Sequence, residues 1–381
     1  MNKFVRFLSY VLVAVLSATL AFGWASDQQE GYSKLTELED LIEARFIGEA
    51  DTVAMEDAAA AAMLEATGDR WSYYIPASEY AAHLEAVNNA YVGIGITIAV
   101  AEDGSGLDVV EVNPDGPAME AGIRVGDVLI AVEGQPTAGH TTAETRNLVR
   151  GKEGTTVAIT IRRDGQEITM DVMRRQILTP VATWEMLPGK VGLVTIANFD
   201  ERCADESITA IETLLADGAE KILFDVRNNP GGYASELVKL LDYLLPEGDL
   251  FRAVDYTGRE SVDTSNADFL DIPMAVLVNR DSYSAAEFFA VALQEYEAAV
   301  VIGEQTSGKG YFQNNLRLKD GSAVALSVGK YYTPKGISLE GVGITPDVQI
   351  DLDEETDAKL YYGQLSHGED PHIQAALDAL K

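Results

Sequence analysis

The period of the apolar positions changes several times along this chain, and each change marks a segment. Residues 31–90 read as helical: Leu35, Leu38, Leu41 and Ile42 recur at helical spacing, and Ala58 to Leu64 continues with strong helix formers. An aromatic, proline-containing turn, Asp69 to Pro76, interrupts this segment before a further helix to about Val87. Its aromatics read as core packing, with dimer contacts as a second role. Residues 91–174 are shorter and more alternating. Val92 to Ile98 is a glycine-rich entry into a strand, and Asn113 to Ile123 a turn and short helix. A strand follows from Val128, then a helix over 141–150 and two strands, Thr156 to Arg162 and Glu167 to Met173.

Residues 175–350 alternate apolar strands with helices. Val191 to Ile196, Lys221 to Val226, Met274 to Val278 and Val300 to Ile302 have the length and β-branched content of buried strands. Helices are expected from Cys203 to Leu215, over 233–245 and from Ser284 onward. This alternation predicts a layered α/β core. After Gly308 the period becomes two, so that Lys309, Tyr311 and Gln313 share one face of an extended segment. A hairpin follows around Lys319-Asp320-Gly321. Residues 351–381 hold an acidic run, Asp351 to Asp357, and an amphipathic helix from Asp370 to Leu380, expected to pack on the N-terminal helices or on a partner subunit.

The first 25 residues differ from all of this. Lys3 and Arg6 precede an apolar run from Phe7 to Phe22, which reads as an export signal. Ala21-Phe22-Gly23-Trp24-Ala25 is an imperfect cleavage site, so the segment is either removed or kept as a membrane anchor. The protein is therefore expected outside the cytoplasm, membrane-anchored or secreted. Its 61 acidic against 28 basic residues give a formal charge of −33, which argues against nucleic acid and anionic membrane surfaces as partners. Cys203 is the only cysteine, which excludes an internal disulfide. The four histidines, His83, His140, His367 and His372, have no metal-binding spacing, and no metal or organic cofactor is expected.

The chemistry centres on Ser284, at the start of a helix, and Lys309, between two glycines. A helix N-terminus offers backbone N–H groups to an oxyanion. A serine hydroxyl needs a base, and a lysine serves as one only when burial lowers its pKa. Gln313 is placed to hydrogen-bond a neutral amine. Two other readings compete. Ser284-x-x-Glu287 is also a capping box. Gly303-x-x-x-x-Gly308-Lys309 approaches a phosphate-binding loop, but Gly310 stands where that loop needs Ser or Thr, and a strand follows instead of a helix.

The stretch Ser282-Tyr283-Ser284-Ala285-Ala286-Glu287, with Gly308-Lys309-Gly310 and Gln313, resembles the active-site region of the C-terminal processing peptidases, or tail-specific proteases. The separation of 25 residues between Ser284 and Lys309 is similar to that family's. Tyr283 departs from the pattern, standing where a small residue is usual. The resemblance implies Ser284 as nucleophile, Lys309 as general base and Gln313 as its orienter. It also implies an oxyanion hole from the N–H of Ala285 with that of Gly231 or Gly232, in the turn Asn228-Asn229-Pro230-Gly231-Gly232. A crotonase/ClpP-like α/β fold is implied for the core.

Residues 91–174 resemble a bacterial PDZ domain, most specifically from Pro117-Ala118 to Gly126-Asp127-Val128-Leu129-Ile130. Such a module binds a free carboxylate on the N–H groups of the Gly93-Ile94-Gly95-Ile96 loop while the peptide adds as a strand beside residues 94–98. Leu148 is expected to contact the terminal side chain, or else to be core. Arg150 is a candidate for coupling peptide binding to catalysis, or else a helix C-terminal charge. Together these features predict an exported serine endopeptidase acting on proteins or peptides with free, apolar C-termini. An inactive PDZ scaffold and an acyl-transfer enzyme on a crotonase-like core are the alternatives.

Overall fold

A six-stranded sheet carries the second half of the chain. In spatial order its strands are Ala182–Leu187, Val191–Ile196, Lys221–Asp225, Met274–Val278, Ala299–Gly303 and Val348–Gln349. The first pair is antiparallel and every later pair is parallel. The computed structural model describes residues 34–101 and 103–381, so the expected export segment lies outside the described residues.

Alternation along these strands assigns each residue to one of two layers. Val194, Ile196, Phe224, Val276 and Val301 face the helices Cys203–Ala216, Ala234–Leu244 and Ala285–Glu295. Leu193, Leu223, Ala275, Leu277 and Ile302 face the opposite way and meet Ile373 and Ala376 of the helix Pro371–Ala379 and Leu380 at its C-cap. That terminal helix, expected on the N-terminal helices or a partner subunit, instead covers the second face of its own sheet. The reason is steric and electrostatic together: a central strand buried at every position, Met274–Val278, needs a cover on both sides. In addition, Asp370 forms a 2.8 Å ion pair with the buried Arg227.

The helix Ala285–Glu295 is the most deeply packed of the set, with all residues from Ala285 to Leu293 buried. Phe288 meets Phe251 edge to face, and Phe289 does the same with Phe224. Burying such a ring stabilises by about 1.5–3 kcal/mol, so this helix is held by packing on all sides.

A second, five-stranded sheet contains Tyr73–Ile75, Gly248–Asp255, Glu260–Ser265, Tyr311–Arg317 and Ala323–Tyr332. Tyr73–Ile75 pairs with Ala323–Ala325, which changes the expected organisation of residues 31–90. The chain divides after Gly68, and everything from Asp69 onward belongs to the second unit. The first unit has two described helices, Lys34–Arg45 and Thr52–Glu65, neither with a buried residue.

The small domain is a six-stranded antiparallel sheet ordered Ile96–Val100, Leu107–Val112, Val128–Val132, Thr156–Arg163 and Gln166–Met173, with the short strand Gln135–Pro136 paired to Val128–Val132 off this path. The short helix Pro117–Ala121 and the helix Thr142–Val149 accompany it. The glycine-rich entry is not one strand. Ala90–Gly93 leaves the sheet to pair with Arg175–Leu178, and Gly95, at φ +77°, turns the chain into Ile96–Val100. A side chain at Gly95 would be strained there, which is why the turn falls on glycine.

Candidate active site

Parallel α/β sheets open their binding crevices beyond the carboxyl ends of the strands. Here the ends of Lys221–Asp225 and Met274–Val278 lead into the two turns of interest, and side chains clamp those turns together. Asn279 donates to the Asn228 side chain at 2.8 Å and accepts from the Asn228 backbone N–H at 2.9 Å. The Ser282 hydroxyl donates to the Val226 carbonyl at 2.7 Å, and the Tyr283 N–H donates to the Asn229 carbonyl at 3.1 Å.

Ser284 sits at φ 58°, ψ −125°, a region that non-glycine residues occupy only under strain. The strained turn throws the side chain out at the helix start, the arrangement of a nucleophile elbow. Gly231 packs directly beneath it. A Cβ at Gly231 would lie 2.8 Å from the Ala285 nitrogen and 2.8 Å from the Ser284 Cβ. The two candidate glycines differ in their hydrogen bonding: the Gly231 N–H donates to the Asn229 side chain at 2.8 Å, which engages it within its own turn. The Gly232 and Ala285 N–H groups have no such partner among the described residues.

Glu287, read from sequence only as a cap, is the centre of the site. It is fully buried, and its carboxylate accepts from the N–H of Ser284 at 3.0 Å, of Gly308 at 2.8 Å and of Lys309 at 2.8 Å. The Thr306 hydroxyl donates to it as well. One carboxylate thus fixes the serine turn and the lysine turn relative to each other. Burial raises its pKa, against the hydrogen bonds from Thr306, Lys309, Gly308 and Ser284. The sequence did carry a signal for this: an acid among Ala285, Ala286, Phe288 and Phe289 lies on a buried face and must find donors there.

Lys309 faces the same cleft as Ser284, a concavity of about 470 Å³ that Gly231, Gly232 and Gln313 also line. Burial lowers the Lys309 pKa, opposed by the charges of Asp69, Glu287 and Glu340. Its Nζ lies 5.0 Å from the centre of the Trp71 ring and 5.6 Å from that of Tyr283, and these two rings stack at 6.1 Å. Trp71 is fixed by its indole N–H, 3.1 Å from Glu340 Oε1, while Glu340 Oε2 accepts from the Gly310 N–H at 2.8 Å. Arg70 donates to the carbonyls of Ser307 and Gly308 at 2.9 and 3.1 Å. The aromatic turn, expected to fill core, therefore walls the lysine. Tyr283, too large for the usual pattern, supplies the other wall. Gln313 spends its amide nitrogen on the Tyr311 carbonyl at 3.1 Å and the Ser327 hydroxyl at 3.0 Å, partners within its own sheet rather than Lys309.

The small domain presents a second concavity, about 410 Å³, between the edge strand Ile96–Val100 and the helix Thr142–Val149. Gly93, Ile94, Gly95, Ile96 and Arg150 line it. Leu148 does not. It packs against the domain core, and the groove wall is made by Thr142, Arg146 and Val149. One residue along a helix is a rotation of about 100°, so Val149 joins core and groove while Leu148, packed on the same core, stays out of the groove.

A small domain with an open groove, joined to an α/β core that presents a strained serine at a helix start, has the construction of the modular serine peptidases. Comparison with known proteins gives the particular family: this chain belongs to peptidase family S41, whose model matches residues 190–350, and a PDZ domain model matches residues 109–163. A "Probable CtpA-like serine protease" of Staphylococcus saprophyticus is 30% identical over 91% of this chain and 72% of its own length. The corresponding Staphylococcus aureus protein is 32% identical over 86% of this chain, and the chain spans only 66% of that relative's length. A crystal structure from Bacteroides fragilis, provisionally assigned to the S41 proteases, shares the fold with a TM-score of 0.51 and 19% identity, over 84% of this chain and 89% of that one.

Proposed function

We propose that this protein is an exported serine endopeptidase that engages substrates by their free C-terminal tails. Ser284 Oγ attacks the peptide carbonyl while Lys309 Nζ takes its proton, and the oxyanion is held by the N–H groups of Ala285 and Gly232. Lys309 then returns the proton to the leaving amine. Water deacylates the serine by the same route in reverse. Gln313, anchored to its sheet through its amide nitrogen, keeps its carbonyl oxygen to orient the neutral amine.

The observation that carries this reading is the lysine's setting. Lys309 shares a cleft with a strained Ser284, is buried enough to lower its pKa, and is fixed to the serine turn through Glu287. The open edge of Ile96–Val100 supports peptide addition, and the apolar residues Ile94, Ile96 and Val149 support an apolar terminal residue. The test is cleavage of an unstructured peptide with a free or amidated C-terminus by wild type, Ser284→Ala and Lys309→Ala. Cleavage requiring the free carboxylate and both side chains is expected. Cleavage indifferent to amidation would remove the tail-reading role, and undiminished cleavage by either variant would remove the dyad.

A further inference from the structure

The peptide groove has a charge that the rest of the chain does not. With 61 acidic and 28 basic residues, an average surface here is negative. Yet the helix side of the groove carries Arg146 and Arg150, both exposed and both lining the concavity. Neither has an ion-pair partner among the described residues, although most other arginines of the small domain do have anchors. Arg163 grips Asp127 through two bonds of 2.6 Å, and Arg174 is tied to the Val149 and Thr156 carbonyls at 2.7 Å. The nearby acids are engaged elsewhere. Glu144 caps its own helix through the Thr141 N–H and hydroxyl at 2.8 Å, and Glu111 accepts from Thr97 at 3.1 Å.

The spacing of the two arginines relates them to a bound peptide. Four residues of helix advance about 6 Å. Two residues of an extended peptide advance about 6.6 Å. The C-terminal end of the helix, where Arg150 stands, lies toward the Gly93–Ile96 turn: Arg174, which donates to the Val149 carbonyl at 2.7 Å, directly precedes Arg175, the strand partner of Gly93, and Arg150 lines the groove together with that turn. Arg146 then stands one helical turn further along, beside the peptide residue two positions before the C-terminus.

Resting on the tail-reading function proposed above, we infer that the preferred substrate tails carry an acidic side chain at the third position from the C-terminus, paired with Arg146. The terminal carboxylate, next to Arg150, and the apolar terminal side chain, on Ile94 and Val149, complete the recognition. This makes the specificity a charge pattern and not apolarity alone.

The test uses the full chain carrying Ser284→Ala, which prevents turnover, and fluorescein-labelled decapeptides read by anisotropy. The peptides are neutral and unstructured, end in Ala-Val, and carry Glu, Ala or Lys at the third position from the end, each with a free or amidated terminus. The Glu peptide is expected to bind about three- to tenfold more tightly than the Ala peptide, and the Lys peptide more weakly than both, with the differences shrinking at high salt. Adding Arg146→Gln should abolish the preference and adding Arg146→Glu should invert it, while sensitivity to amidation persists. Equal binding of the three free-acid peptides, or a preference for Glu that survives Arg146→Glu, overturns the inference and leaves tail reading intact. Binding indifferent to amidation, or no binding of any peptide, overturns tail reading itself.

Discussion

The carboxylate of Glu287 accepts the backbone N–H of Lys309 at 2.8 Å, and with its remaining capacity it accepts the N–H of Ser284, three residues before it on its own helix. A single buried acid therefore sets the distance between two turns that are far apart in sequence. Its role is positional: it holds three backbone N–H groups and the Thr306 hydroxyl. Glu287→Gln replaces one acceptor oxygen by a donor amide facing N–H groups. A loss of kcat of about 10²-fold with little change in KM is expected, because only the preorganisation suffers. Equal losses in binding and turnover would mean that the helix has been displaced as a whole.

The Lys309 amine must be neutral to act as a base, and burial holds its pKa below 10.5. Activity should rise with pH as the amine deprotonates, through a pKa lower than that of free lysine. The same depression has a stability sign. Between the folded and unfolded pKa values the unfolded chain binds more protons, so stability should increase with pH across that window. Lys309→Met removes the effect and should raise Tm at neutral pH while abolishing turnover. A flat pH–rate profile through the neutral and alkaline range would sink the lysine base.

Trp71 supplies much of the burial around that amine, with its ring centre 5.0 Å from Nζ. In Trp71→Ala, water should reach Lys309 and its pKa should move back toward 10.5. The expected result is a rate profile displaced to higher pH, with activity recovering in alkaline buffer. A uniform loss at every pH would assign Trp71 to substrate contact instead.

Gly231 has φ +86°, and a Cβ there would approach the Ala285 nitrogen, the Ser284 Cβ and the Tyr283 carbonyl oxygen, each at 2.8 Å. Gly231→Ala should push the Gly231-Gly232 turn away from the serine and, with the proposed oxyanion donors displaced, lower kcat by roughly 10²- to 10³-fold. Urea unfolding of the same variant should show a much smaller deficit than its activity does.

Arg227 precedes the turn Asn228 to Gly232 and is almost fully buried. Burial alone would drive its guanidinium pKa down, but Asp225 and Asp370 hold it above the ordinary value. Asp370→Ala leaves that charge with one carboxylate and removes the N-terminal cap of the helix Pro371–Ala379. A destabilisation of about 3–5 kcal/mol is expected by chemical denaturation, the usual consequence of breaking a buried pair. Retained stability would show that the terminal helix is held by Ile373, Ala376 and Leu380 alone.

Much of this molecule is written locally. The strands Val191–Ile196 and Met274–Val278 and the helix after Ser284 follow from residues close in sequence, because period and propensity are short-range properties. The family resemblance was equally legible, being carried by two short motifs and the stretch 117–130. What tertiary structure alone decided depends on partners distant in sequence. Period could not show that Val149 belongs to both the core and the groove while Leu148 stays out of the groove, since both are apolar and adjacent. Trp71 gained its place through Glu340, and the terminal helix gained its seat through Arg227 and an uncovered sheet face. Glu287 satisfies the N–H of Ser284, which the capping pattern foretold, and those of Gly308 and Lys309, which no local pattern could. A buried carboxylate costs free energy unless it is hydrogen-bonded, and only the assembled fold brings the further donors to it.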